Sequence, residues 1–425
     1  MSSILFFALI TCFAIGMPIA FSLGVASVVT LQFGSTLPLT LVAQRLFAAT
    51  DSFPLMAIPF FMLAGALMDT GGISKRLVDF AHSLVGWIYG GLGMVAVLAA
   101  MFFAGISGAA AADTAAVGAV SIPAMIRKGY NKGFAAAIQA AGGSIGVIIP
   151  PSIPMIIFGV IGGVSIGKMF MGGFVPGVLI GGGLMTASYF LAKRAGYKRD
   201  KRASMTVVRK SFLDAFWALI MPGIILGGIM GGIFTPTEAA VVAALYGLFA
   251  GLFIYKELKI KDLPAVFAKS AVTTSTVMLL IATANIFGWI LTAEQIPQNV
   301  ATYLVSLTDS PAVLYAMILI MLLIVGTFME TTASLIILSP VFLPVIQQFG
   351  IDPVHFGVVM VTALAIGMLT PPLGICLFIS CNIADIPLSR IIKYVMPFLA
   401  IMIACLFLIT FVPDLVMFLP NLMDH

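Results

Sequence analysis

The sequence predicts an all-α polytopic membrane protein, built as an inverted repeat with two re-entrant helical hairpins and two helices broken at Pro-Pro pairs. Three observations predict it. Hydrophobic residues make up 61% of the 425-residue chain and charged residues 9%, against roughly a quarter charged in soluble domains. With a mean hydropathy of +1.17, most of the chain belongs in lipid. The Lys and Arg residues are clustered in a few short stretches, which orients the segments between them. The second half also repeats the first at a fixed spacing.

Taken in order, residues 4–29 form an apolar run longer than the roughly 20 residues of a bilayer span. No Lys or Arg precedes it and no cleavage site follows, so a retained helix is expected rather than a signal peptide. The N-terminus is expected to be cytoplasmic and the C-terminus periplasmic. An amphipathic arm at 73–88, "SKRLVDFAHSLVGW" with Lys75 and Arg76, leads into 89–127. That stretch begins and ends beside basic residues, the latter being Arg127, Lys128 and Lys132. Its two arms, 89–104 and 109–126, span about 24 to 27 Å at 1.5 Å per residue, short for independent crossings. A hairpin with its tip at Gly105-Ile106-Ser107-Gly108 fits better. Non-helical backbone at that depth is tolerated only where protein or a water-filled cavity surrounds it.

Residues 130–162 follow as a crossing helix interrupted by Pro150-Pro151, and 169–191 returns. The richest basic stretch, "AKRAGYKRDKRASMTVVRK" at 192–210, is then cytoplasmic. The first repeat is thus expected to fill 1–211. A connecting crossing at 212–235 turns the second repeat, 236–425, upside down. Residues 239–255 return to Lys256, Lys259, Lys261 and Lys269, again inside. In "FTPTEAA", Thr235, Pro236 and Glu238 have the spacing of a capping box, a structural role.

Adding 221 aligns the copies without gaps: Gly105 with Gly326, Gly146 with Gly367, Pro150-Pro151 with Pro371-Pro372, and Pro176 with Pro397. A shared Pro-Pro pair within fixed spacing is not a product of composition. The second arm is therefore expected at 294–310, the second hairpin at 311–347 with tip "GTFMETT", and the second broken helix at 353–382. Inverted repeats with discontinuous helices are the architecture of many secondary transporters, with the site at the midplane.

Each proline removes an N–H and clashes with the carbonyl four residues back. The pairs are expected to free the carbonyls of Gly146 and Val147, and of Gly367 and Met368. With hydroxyls, such carbonyls make a hard oxygen cage for sodium. In the first half the candidates are Gly105, Ser107, Ser144, Gly146, Val147 and Pro150. In the second they are Gly326, Thr327, Thr331, Thr332, Gly367, Met368 and Thr370. Gly108, Asp113, Glu330, Pro151 and Pro372 border the space for substrate. Asp113 and Glu330 are either ion or proton sites, as intramembrane carboxylates often are, or braces for their hairpin tips. The return arms start at the tips, so two helix N-termini face the centre and favour an anion such as a carboxylate.

Other chemistries fit poorly. Gly105-Ile106-Ser107-Gly108 matches the GxSG of an intramembrane serine protease, with His355 as base, but a protease needs no twin at 326. "GGVSIGKM" (162–169) lacks the Ser or Thr of a phosphate loop at Met169 and falls on the outer side. Cys12, Cys376, Cys381 and Cys405, like His82, His355 and His425, are dispersed, which leaves no metal-site spacing. No enzyme activity, cofactor or nucleic-acid partner is expected.

The segments "GISGAAAADTAAVGAVSIPAM", "GGSIGVIIPPSIPMIIFG", "GGIFTPTEAA", "GTFMETTASLIILSPVFLPV" and "GMLTPPLGICLF" resemble the large membrane subunit of tripartite ATP-independent periplasmic (TRAP) transporters, and the resemblance covers nearly the whole chain. It implies a sodium-driven importer of organic acids (sialic acid, C4-dicarboxylates or other carboxylates) in a bacterial inner membrane. Sodium would be the coupling ion. It also implies a small four-helix membrane subunit, a soluble periplasmic binding protein, and the elevator motion of the ion-transporter superfamily. The family's first tip is usually richer in serine than Ala109 to Ala112 here, leaving Ser107 and backbone carbonyls as ligands. A stand-alone sodium/carboxylate symporter of related architecture is the alternative.

Overall fold

The computed structural model describes every residue except Lys198, Asp309 and His425. Lys198 of the basic loop and Asp309 of the expected second arm therefore lie outside the described residues, as does His425. The described residues are helical throughout, without a strand. Seven helices are long and apolar enough to cross a membrane, or eight with one bent pair.

The first apolar run departs from expectation. It forms two helices, α1 (Ser2–Ala14) and α2 (Ile19–Gly34), packed against each other. Gly16, at φ +77°, and Pro18 break the run, because glycine takes the left-handed turn and proline cannot continue a helix. α3 (Thr40–Thr50) and α4 (Ala57–Thr70) form the bent pair, at 66°. The arm helix α5 (Ile73–Val85) buries Ile73, Leu77 and Ala81 and leaves Lys75 exposed.

The first hairpin is α6 (Gly91–Ser107) and α7 (Ala110–Arg127). Helix α6 runs through Gly105 and Ile106, so the break is only Gly108 and Ala109, tighter than the four-residue tip expected. Next come α8 (Lys132–Ser144), capped by Asn131, and α9 (Ile153–Gly162), capped by Ser152, with the Pro150-Pro151 break between them. The long α10 (Ile166–Arg194) leads to the basic loop. The connecting helix α11 (Met205–Met230) starts seven residues before the expected 212, because Ser204 caps it within that loop.

After α12 (Pro236–Phe249), whose Thr235–Glu238 capping box is present, the chain forms α13 (Leu263–Ala293), α14 (Ile296–Leu307), α15 (Pro311–Phe328) and α16 (Thr331–Gln348). It ends with α17 (Pro353–Gly367), α18 (Ile375–Ala384), α19 (Leu388–Phe411) and α20 (Asp414–Asn421). The helices α5 to α10 start 220 to 223 residues before α14 to α19, respectively. Likewise α13 starts 223 residues after α3 and ends 223 after α4.

Two helices form the centre. Every residue of α8 from Gly133 to Ser144, and of α17 from Val354 to Gly367, is buried, as expected for helices apolar on all sides. The hairpins and α18, α19 and α10 surround them, while α1 to α4 and α11 to α13 form a second group packed among themselves. Met1 and Ser2 lie against Glu294, with Ser2 N–H donating to Glu294 Oε2 at 3.0 Å. This is the end of α13 opposite Lys259 and Lys261. The run therefore forms two short helices rather than one, with Met1 at the Glu294 end of α13.

Candidate functional site

Each hairpin tip rests on its own Pro-Pro break. In the first half Gly108 adopts φ +63°, and Ile153 N–H donates to its carbonyl at 3.3 Å. A side chain at Gly108 would come within 2.6 Å of the Pro151 carbonyl. One at Gly105 would meet Pro222 of α11 at 2.8 Å, and the Cα of Ser107 fits against Gly65 of α4. The tip is thus wedged between the break and the second helix group, with glycines at the closest approaches.

Asp113, fully buried in the first turn of α7, reaches back to the tip: its Oδ1 accepts from Ser107 Oγ. Ser107 Oγ in turn accepts from Ala109 N–H at 3.3 Å. Asp113 Oδ2 has no partner, and it occupies the space a side chain at Gly146 would take. Glycine at 146 is therefore what admits the carboxylate to the break. The sequence pointed to Asp113 and to Gly146 separately, and packing joins them.

The second tip is built differently. Gly326 and Gly367 meet backbone to backbone, with no room for a side chain on Gly367. Glu330 caps α16: its Oε2 accepts from the N–H groups of Thr332 (2.9 Å) and Ala333 (3.3 Å), and its Oε1 from Thr332 Oγ1 (2.9 Å). The N-terminus of α16 is thus occupied by its own carboxylate. That of α7 has no side-chain cap, so only the first return helix offers free N–H groups to an external anion. Thr331 Oγ1, fully buried, has no partner. Pro372 and Leu373 are exposed, whereas Pro150 and Pro151 are buried under the first tip.

Several carbonyls expected to be freed have new donors. Val147 O accepts from Ser152 Oγ at 2.6 Å, Gly367 O from Thr370 N–H at 2.8 Å, and Met368 O from Cys376 N–H at 3.3 Å. Chain beyond each break, at Ser152 and Cys376, and the turn at Thr370 just before the second break satisfy them, as buried backbone requires. Ser144 donates to Ala141 O (2.9 Å) and lies near Met402 Sδ, away from the tip. Thr327 donates within its own helix, at Ile324 O (2.7 Å), and Thr370 to the end of α17, at Ile366 O (2.9 Å). Among the described residues the buried side-chain oxygens without a partner are Asp113 Oδ2 and Thr331 Oγ1, one in the first turn of each return helix, and Ser380 Oγ of α18. Ser107 and His355 are not paired: the His355 ring contacts Ile409 O and Tyr315 Oη, which removes the protease arrangement.

A cavity of about 270 Å³ lies beside the first tip, lined by Ser107, the alanines that open α7, Asp69 of α4, and Lys269 and Thr273 of α13. Lys269 appeared in the sequence only as a topology marker. Its position on the cavity follows from tertiary packing.

The sequence from 6 to 415 matches the family model described as the tripartite ATP-independent periplasmic transporter, DctM component. The chain belongs to this family. Among its relatives, the isethionate TRAP transporter permease protein DctMQ of Oleidesulfovibrio alaskensis is 45% identical over 95% of this chain. This chain spans 64% of that protein's length. The C4-dicarboxylate TRAP transporter large permease protein DctM of Pseudomonas aeruginosa is 42% identical over 94% of both chains. In three dimensions the fold is similar to that of the YdaH transporter of Alcanivorax borkumensis, with a TM-score of 0.56 at 15% identity, covering 87% of this chain and 86% of that one. A TRAP large permease is a transport protein and not an enzyme, and this one is a multi-pass protein of the inner membrane.

Proposed function

We propose that the chain is the large subunit of a sodium-coupled importer of an organic acid. Working partners are a small four-helix membrane subunit and a periplasmic protein that delivers the substrate. The observation that carries the coupling ion is that, of three partnerless buried side-chain oxygens among the described residues, two, Asp113 Oδ2 and Thr331 Oγ1, lie at corresponding hairpin tips, the third being Ser380 Oγ of α18. A buried polar atom without a partner costs about 1–3 kcal/mol, more if charged, and a sodium ion at each tip offsets that cost. The relatives' named substrates, isethionate and C4-dicarboxylates, are organic anions. The uncapped start of α7 provides N–H groups for such a group beside the cavity.

The two helix groups supply the parts of an elevator: one holds the hairpins and broken helices, and the other meets the first tip through Gly65 and Pro222. By the positive-inside rule the Lys256 to Lys269 end is cytoplasmic, and the two repeats are inverted across it. Proteoliposomes holding both membrane subunits, with the loaded binding protein outside, test the reading. Uptake is expected to require an inward sodium gradient. Gradient-independent uptake overturns the coupling, and uptake without any binding protein assigns the chain to stand-alone symporters.

A further inference from the structure

A second cavity, of about 380 Å³, lies between the helix groups at the other end of α13. Its α13 wall includes Asn285, Gly288, Trp289 and Thr292. Shifted by the 223 residues that separate α3–α4 from α13, these are Met62, Gly65, Ala66 and Asp69, the α4 wall of the first cavity. The return helices match as well, since Ala115 of α7 and Ile336 of α16 are 221 apart. The two cavities are thus repeat mates. The third wall differs: α9 contributes its first residue, Ile153, to one and Ile157 and Val160, farther along, to the other.

Each cavity holds a single basic side chain, from the mate of the helix that forms its wall: Lys269 on α13 in the first, Arg45 on α3 in the second. Neither makes an ion pair among the described residues. The Arg45 guanidinium lies 5.1 Å from the centre of the Trp289 ring. Lys269 and Trp289 are 20 residues apart on one helix, about 30 Å, the thickness of the hydrocarbon core. Acidic residues break the symmetry. The first cavity carries Asp69, whose Oδ1 accepts from Ser74 Oγ at 2.9 Å, and its mate in the second is the uncharged Thr292.

We infer that the two cavities are the ends of one anion path, Arg45 capturing the substrate's acidic group at the outer end and the opposed charges of Lys269 and Asp69, which line the other cavity, releasing it at the inner end. A basic group without a counter-charge attracts anions along a low-dielectric cleft. The inner end, with one charge of each sign, has no net pull. The asymmetry favours import. This rests on the organic-acid reading, but its test needs no substrate.

The probes are the anionic thiol reagent 2-sulfonatoethyl methanethiosulfonate and its cationic trimethylammonium analogue. The protein is the full chain with its four cysteines replaced and one cysteine introduced, at Ala49 of the outer cavity or Ser270 of the inner one. In right-side-out vesicles the Ala49→Cys thiol is expected to react about tenfold faster with the anion than with the cation. Arg45→Gln removes that preference and Arg45→Lys keeps it, so a folding defect is told apart from a lost charge. In inside-out vesicles the Ser270→Cys thiol shows little preference until Asp69→Asn creates one, which Lys269→Gln abolishes. Equal anion and cation rates at Ala49→Cys, or a preference insensitive to Arg45→Gln, overturn the inference. Sodium-independent uptake by the same protein would overturn the coupling reading alone.

Discussion

Asp113→Asn isolates the charge of the first tip. Asparagine keeps the size of the side chain and an acceptor for Ser107 Oγ, but removes the carboxylate that faces Gly146. Without sodium, the wild-type protein carries a buried oxygen with no partner, a cost of about 1–3 kcal/mol or more. The variant is therefore expected to be at least as stable as wild type in sodium-free buffer. Sodium reverses the order. An ion held by Oδ2 at ten times its Kd stabilises the folded state by about 1.4 kcal/mol, and a tenfold weaker site by about 0.4. The difference of about 1 kcal/mol corresponds to a Tm change of about 1 °C in a chain of this length. Thermal unfolding in detergent, with choline replacing sodium at constant ionic strength, reads it directly. Sodium-driven uptake gives the half-saturating concentration, expected to rise about tenfold. If Asp113→Asn keeps the wild-type sodium-dependent rise in Tm, and a half-saturating concentration within about twofold, Asp113 is not a ligand.

Thr331→Val removes the partnerless oxygen of the second tip at constant shape, and is expected to weaken sodium activation of uptake without lowering Tm in sodium-free buffer. Gly367→Ala forces a methyl against the Gly326 backbone, where no flexible side chain can yield; a loss of about 1–3 kcal/mol in unfolding experiments is expected. Replacing Pro150-Pro151 or Pro371-Pro372 with Ala-Leu restores helix hydrogen bonding and is expected to abolish sodium-dependent uptake; normal uptake in both variants would reduce the breaks to kinks. In the basic loop, Lys128 and then His82 hold the Asp200 carboxyl below the usual carboxylate range, with Lys128 Nζ at 2.7 Å. A depressed folded pKa stabilises above the unfolded value of about 3.9 and fades as pH falls through the folded one. The Tm deficit of Asp200→Asn is thus expected at neutral pH and to vanish in that acid range.

Much of the fold was legible because its determinants are local. Asn131, Ser152, Thr235 and Asp352 cap the helices that follow them, and the Pro-Pro pairs end helices wherever they occur. The N-terminal run divides into two helices because the Gly16-Met17-Pro18 turn ends a helix whatever the apolar length around it. At the site, proline arithmetic named carbonyls that lose one donor, but not the donors that replace it. Ser152 and Cys376 come from chain that folds back after the break, and Thr370 from the turn just before it.

The sequence by itself determined the helices, the repeat and the family, since residue spacing, glycine dihedrals and missing proline N–H groups act within a few residues. Tertiary structure decided which oxygens stay without partners and which basic side chains border a cavity. A packing neighbour can arrive from any distance along the chain, as Gly146 does in leaving room for the Asp113 carboxylate and Trp289 in placing its ring beside Arg45, and only packing chooses it.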